Sequence, residues 1–211
     1  MSKNVFAELV VATKNKKKLK EIREILRGPR FKIISLADYP NPPRIVENGK
    51  TFRENAVKKA ARTAKFTKRL TLGEDSGLCV DALGGEPGIY SSRFAGGAKD
   101  DAANNRKLLR LMEGLPLSKR KARYVCAVAL ADESGLIGVV EGQCRGVISF
   151  ICQGSSGFGY DPLFIIPKYN KTFAQLGPRI KHKMSHRYRA LEKSRKYLSR
   201  YLKRCNKKAL S

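Results

Sequence analysis

Acidic residues are scarce in this 211-residue chain: 18 Asp plus Glu stand against 44 Lys plus Arg, a formal net charge of +26. Long apolar runs are missing as well. The most apolar stretches, Phe6–Val11 and Val125–Ala131, fall far short of the ~20 residues a membrane helix needs. The start MSKNVFAELVV has no secretory apolar core followed by a small-residue cleavage site. Neither a membrane nor a secreted protein is expected. The five cysteines, Cys79, Cys126, Cys144, Cys152 and Cys205, form no CxxC and no Cys/His cluster. A zinc site and a disulfide framework are therefore not expected, and a reduced, cytoplasmic compartment is. With 42% hydrophobic residues the chain is too apolar for disorder, and its length suits one large domain or two small lobes.

The charge is unevenly spread. From Arg179 to Ser211 there are 13 basic residues and one acid, Glu192, and Val57–Arg69 has six basic residues and no acid. Between Glu74 and Asp101 six acids face only Arg93 and Lys99. An acidic island in so basic a chain points to metal binding or to a loop that is merely acidic. The basic excess is open to a nucleic-acid partner, a polyphosphate substrate or a solvated surface.

Hydrophobic spacing predicts alternating elements. Ala7–Thr13 reads as a buried strand, and Asn15–Leu26 as a helix with Leu19, Ile22, Ile25 and Leu26 on one face, stopped by Gly28–Pro29. Phe31–Leu36 is a second strand and Pro40–Pro43 a loop. Thr51–Thr67 is a helix with Phe52, Ala56, Ala60 and Ala64 recurring every fourth residue. Leu70–Glu74 is a strand, Gly84–Gly97 a glycine-rich loop and Asp100–Met112 a helix. Arg123–Ala131 and Leu136–Glu141 flank Asp132-Glu133-Ser134-Gly135, a hairpin turn. Cys144–Cys152 and Pro162–Ile166 are strand-like, and Ser185–Arg204 closes the chain as an amphipathic helix. Strand–helix alternation followed by hairpins indicates an α/β fold with a mixed sheet, and one folded unit is favoured.

Five constellations could carry chemistry. Thr13-Lys14-Asn15-Lys16-Lys17-Lys18 lies at a strand–helix junction, where unpaired N–H groups and the helix dipole favour a phosphate; a Thr or Asn cap is the alternative. There is no Walker loop in the chain. Thr51-x-x-Glu54 is a capping-box pattern. Gly73-Glu74-Asp75-Ser76-Gly77 offers adjacent carboxylates. They would face opposite sides unless the glycines turn the backbone, and hard oxygens suit Mg2+. In Ser156-Gly157-Phe158-Gly159-Tyr160-Asp161-Pro162 a ring flanked by glycines could stack on a flat base or pack into the core. In Lys181-x-x-x-Ser185-His186-Arg187, Ser185 is a natural N-cap, and His186 and Arg187 could meet a carbonyl or phosphate or simply belong to a capped basic helix start; His182 reads as surface.

Taken in order, these segments resemble the inosine triphosphate pyrophosphatase family from about Leu9 to about Leu191. The resemblance rests on Ala12-Thr13-Lys14-Asn15 with Lys18, Thr51–Ala56, Glu74–Leu78 and the specific block Val80–Arg93. Gly157–Phe164 and Ser185-His186-Arg187 complete it. It implies an elongated α/β fold, a long mixed sheet with flanking helices in two lobes around an active-site cleft. Residues 1–211 would form one such domain, with the basic segment 185–211 packed as part of it. It further implies Mg2+-dependent hydrolysis of ITP, dITP and XTP to the monophosphate and pyrophosphate, usually by a homodimer.

Residue by residue, the resemblance makes Asp75 the general base and a Mg2+ ligand, with Glu54 and Glu74 as further metal carboxylates. Thr13, Asn15, Lys18 and Lys181 would bind the triphosphate, and Ser76 would lie near the substrate. Phe158, with Gly159 and Tyr160 beside it, would stack on the purine, while Asp161, His186 and Arg187 read its edge. Two departures stand out: Gln175 replaces the family's usual Glu, and the tail from Lys193 onward is more basic than the family requires. The competing expectations are a Maf-like pyrophosphatase of modified pyrimidine nucleotides and a protein binding nucleic acid non-specifically through its basic surface.

Overall fold

A computed structural model of the chain describes residues 7–28, 31–97 and 100–208. Pro29, expected in the stop after the first helix, and the last three residues of the basic tail lie outside them. In chain order the main elements are β1 (Ala7–Val11), α1 (Lys16–Ile25), β2 (Phe31–Ser35), α2 (Phe52–Thr67) and β3 (Thr71–Val80). There follow α3 (Asp101–Leu111), β4 (Lys121–Asp132), β5 (Gly135–Ile148), β6 (Phe164–Ile166), β7 (Lys171–Thr172), α4 (Phe173–Lys181) and α5 (His186–Lys208). The strands form one seven-stranded sheet in the order β2-β1-β3-β4-β5-β6-β7. It is mixed: β1 pairs parallel with β2 and β3, whereas β6 pairs antiparallel with β5 and β7. The α/β expectation holds.

Two compact units divide the chain. The first takes Met1–Asp75, Ala127–Glu141 and Ala190–Ser211; the second takes Ser76–Cys126 and Gly142–Arg189. In the first, the small face of α2 (Ala56, Ala60, Ala64) packs with Ala127, Ala129 and Ala131 of β4. Thr51 caps α2 by accepting from Glu54 N at 3.1 Å, a contact worth about 1 kcal/mol. Gly73 of β3 allows α2 to approach closely, since a Cβ there would stand 2.2 Å from the Ala56 carbonyl oxygen. In the second unit the core is more aromatic, built on Leu78, Val80, Leu108, Met112, Tyr124, Tyr160, Phe164 and Phe173.

Three expectations need correction. The strand expected over Leu70–Glu74 runs on to Val80, so Gly73 and Gly77 mark no turn; Gly73 answers to helix packing. Leu136–Glu141 and the start of Cys144–Cys152 belong to one strand, β5, which ends at Ile148. Helix α4 was not expected, because Gly177 (φ 72°, ψ 175°) and Pro178 interrupt its pattern. Its start also accounts for Gln175. Gln175 Oε1 accepts from Thr172 N at 2.8 Å while Thr172 Oγ1 accepts from Gln175 N at 3.2 Å. This reciprocal capping box accepts Gln as readily as Glu.

Candidate active site

In the first unit the site draws on the start of α1, the first turns of α2 and the middle of β3. Asn15 precedes α1, and its Oδ1 accepts from the N–H groups of Lys17 (2.9 Å) and Lys18 (3.1 Å). Thr13 Oγ1 accepts from Asn15 N at 3.1 Å. Both residues thus shape the helix start, as the capping alternative had it. Lys18, one turn in, places its Nζ 2.9 Å from Glu74 Oε2.

Glu74 and Asp75 are both buried in the middle of β3. Side chains alternate along a strand, so Asp75 shares with Gly73 the side on which α2 lies, while Glu74 meets α1. Asn55 Nδ2 donates to Asp75 Oδ2 at 3.1 Å, and Lys59 Nζ donates to Asp75 Oδ1 at 3.2 Å. Lys59 also donates to Glu47 Oε2 at 3.0 Å. Asn55 Oδ1 in turn accepts from Gly49 N at 2.8 Å, tying the loop that carries Glu47 to α2.

This contact set holds three carboxylates, of Glu47, Glu74 and Asp75, and two ammonium groups, of Lys18 and Lys59. Burial pushes the Asp75 carboxyl above its ordinary range, and attraction to Lys59 and Lys18 only partly offsets it. Burial works against the Lys59 charge, but Asp75, Glu47 and Glu74 together hold its pKa above the usual lysine value. Glu47 would be raised by its partial burial, yet Lys59 and Lys18 bring it below the usual glutamate value.

Glu54 stands at the start of α2, exposed, and its Oε2 accepts from Lys50 N at 2.8 Å in a capping role. The carboxylate that shares a lysine with Asp75 is Glu47. Sequence reasoning missed Asn55, Lys59 and Glu47 as site residues. Asn55 and Lys59 are four residues apart, beside the alanines of the buried face, and that spacing was the available signal. Among the described residues no group of three or more His, Cys, Asp or Glu side chains stands in a ready-made metal cluster.

In the second unit the remaining residues gather around Phe158. Asp161 Oδ2 accepts from Phe158 N at 2.9 Å and from Lys181 Nζ at 2.6 Å, and this ion pair is almost wholly buried. Gly157 (φ +85°) must lack a side chain, because a Cβ would meet Asp161 Oδ2 at 2.1 Å. Lys181 Nζ lies 4.7 Å and Arg187 Cζ 5.6 Å from the Phe158 ring centroid. Arg187 Nη2 donates to Ser76 Oγ at 3.0 Å. His186 is buried and stacked on Tyr124 at 4.5 Å, 10° from parallel. Ser185 caps α5 by accepting from Tyr188 N at 3.2 Å. Tyr160 is a core residue whose hydroxyl donates to the Ser91 carbonyl at 2.9 Å, and burial pushes its phenol well up.

A family model described as the Ham1 family matches residues 9–197. The chain belongs to the Ham1 family. Among Ham1 relatives, the dITP/XTP pyrophosphatase of Desulforamulus reducens is 49% identical over 193 residues, covering 92% of this chain and 96% of the relative. Two solved structures share the Ham1 fold. A HAM1 protein from Coxiella burnetii has a TM-score of 0.83 at 38% identity, covering 92% of this chain and all of that one. The Staphylococcus aureus Ham1 protein has a TM-score of 0.81 at 37% identity, covering 91% and 98%.

Proposed function

We propose that this Ham1-family chain hydrolyses the non-standard purine nucleoside triphosphates ITP, dITP and XTP to the monophosphate and pyrophosphate. One observation carries the reading: the Asp75 carboxylate is buried on β3 with Lys59 Nζ fixed on one oxygen and Asn55 Nδ2 on the other. A general base needs such orientation, and a pKa raised by burial makes it the stronger base. The name of the Desulforamulus relative supports the same reading.

The residues fit a hard divalent cation, since three carboxylates face two ammonium groups and leave one negative charge over. Magnesium takes few protein carboxylates and keeps waters and phosphate oxygens. Asp75 would hold it, with Glu74 and Glu54 the further carboxylates the family resemblance assigns. When bound, Mg2+ supplies positive charge against the phosphate oxygens. Asp75 accepts a proton from the water whose oxygen attacks the α-phosphorus. The bond from that phosphorus to the α–β bridging oxygen breaks, and pyrophosphate leaves with the electron pair. The family resemblance assigns the triphosphate to Thr13, Asn15 and Lys18 of the first unit and, separately, to Lys181 of the second.

Phe158 stacks on the base, and Asp161, His186 and Arg187 read its edge. Donors from His186 and Arg187 match the 6-oxo group of hypoxanthine and xanthine and oppose the 6-amino group of adenine. Each such mismatch is worth roughly 1–3 kcal/mol, about 5- to 150-fold. Family kinship supports a homodimer, and the free thiols of all five cysteines suit a reducing cytoplasm. Turnover of dITP, ITP, XTP, dATP, dGTP and modified pyrimidine triphosphates, with and without Mg2+, tests the reading. Pyrophosphate should appear from the first three, only with the metal. Preference for modified pyrimidines would favour the Maf-like alternative instead.

A second reading, non-specific association with nucleic acid, is favoured by α5. Lys193, Lys196, Arg200 and Lys203 recur at three- and four-residue spacing on its exposed side, opposite buried Leu191, Ser194 and Leu198. Replacing Lys196, Arg200 and Lys203 with Ser should flatten the slope of log affinity for RNA against log salt by about 2–3, near 0.7–0.9 per lost phosphate contact. An unchanged slope would remove α5 from that reading.

A further inference from the structure

Loop 157–161 carries Phe158 between two glycines of positive φ, Gly157 (+85°) and Gly159 (+63°). Left to itself such a segment has wide conformational freedom, and a ring set on it would have no fixed direction. Helix α3 removes that freedom at one point. Gly159 N donates to Asp101 Oδ2 at 2.9 Å, and the Gly159 carbonyl accepts from Asn105 Nδ2 at 3.0 Å. Asp101 and Asn105 are four residues apart and so share one face of α3. They grip the residue next to Phe158 by its donor and its acceptor at once.

The surroundings make this grip rigid. Asp100 caps α3, accepting from Ala103 N at 3.0 Å. The neighbouring Asn104 accepts from Ala95 N at 2.7 Å. Asn105 is buried, and among the described residues its Oδ1 has no hydrogen-bond partner. An amide kept in that position despite the desolvation cost of an orphaned acceptor is retained for what its other end holds, the Gly159 carbonyl. Sequence reasoning assigned neither residue to the site.

We propose that Asp101 and Asn105 are specificity-determining positioning residues: by clamping the Gly159 peptide they fix the Phe158 ring, and discrimination among purines depends on that fixed ring. The proposal rests on Phe158 stacking on the base. Asp75 is oriented by Lys59 and Asn55, contacts in which the clamp has no part. Loosening the clamp therefore weakens base recognition and leaves the chemical step alone.

The test uses steady-state kinetics on dITP and dGTP with Mg2+ for Asn105→Ala, Asp101→Ala and Asp101→Asn, with thermal melts as the folding control. Asn105→Ala and Asp101→Ala should each raise the KM for dITP roughly threefold to tenfold, the loss of one hydrogen bond, with kcat within twofold. The preference for dITP over dGTP should fall by a similar factor. Asp101→Asn should behave as the parent, because its amide oxygen still accepts from Gly159 N. Unchanged selectivity in both alanine variants, or a fall in kcat at constant KM, would overturn the proposal. The chain has no tryptophan, so Phe158→Trp supplies a single reporter of ring motion that does not depend on turnover. Adding Asn105→Ala to it should lower the tryptophan anisotropy, and an unchanged value overturns the clamp. Absence of pyrophosphate release by the parent from every triphosphate would instead count against the proposed function.

Discussion

Asp75→Asn is expected to lower kcat by about 10²–10⁴-fold, the range a positioned general base supplies, while the protein stays folded. The two side chains have the same shape, so β3 and α2 keep their packing. The amide cannot take the proton from water. It also offers one acceptor where the carboxylate offered two, although Asn55 Nδ2 and Lys59 Nζ both donate at this site. One donor must then face the new NH2 group, at a cost of about 1–3 kcal/mol. Lys59 keeps Glu47 as a partner, which limits the damage. Single-turnover pyrophosphate release beside a thermal melt separates the two effects. Wild-type turnover in the folded variant would remove Asp75 from the role of base.

Much of the architecture was readable because it follows from short-range periodicity. Phe52, Ala56, Ala60 and Ala64 marked α2 as a helix with a small-residue face, and that face packs with the alanines of β4. The phosphate-side segment was placed at the start of a helix, where it is found. Glycine was the main source of error, because the same residue serves a turn and a close contact. Gly73 lies under the backbone of α2, a fact of tertiary packing that a local reading of Gly73–Gly77 cannot contain. In α4, Gly177 and Pro178 hid the helix, and with it the reason Gln175 suffices.

The electrostatics of the site were less readable than its motifs. Glu74 and Asp75 stood out as adjacent carboxylates, but their partners come from elsewhere. Glu47 arrives from a loop that Asn55 holds through Gly49 N. Lys59 sits in a run of six basic residues, where charge alone does not distinguish it from the exposed Arg62 and Lys65. Burial makes the difference: a lysine beside two carboxylates on the packed side of α2 sets the charge of the site, whereas exposed ones are screened beyond about 8 Å. Most of the +26 is therefore remote from the chemistry.

Asp161→Ala should strongly destabilise the second unit. Asp161 and Lys181 are both buried, and their side chains meet at 2.6 Å. Removing one partner of a buried ion pair leaves the other charge in a poor environment, at a cost of about 3–5 kcal/mol. In a chain of this size that is a fall in Tm of about 6–20 °C. Phe158 N loses its acceptor as well, so the KM for dITP should rise in whatever protein remains folded. The decisive comparison is the double variant Asp161→Ala with Lys181→Met, which removes the stranded charge and keeps an apolar side chain in its place. Since a buried pair is often no more stable than an apolar substitute, the double variant should melt above Asp161→Ala alone, a positive coupling between the two sites. It should not regain base affinity, because neither the Phe158 N–H contact nor the Lys181 charge is restored. Equal melting of the single and double variants would mean that the stranded ammonium costs little, and that Asp161 acts by holding the loop rather than by neutralising Lys181.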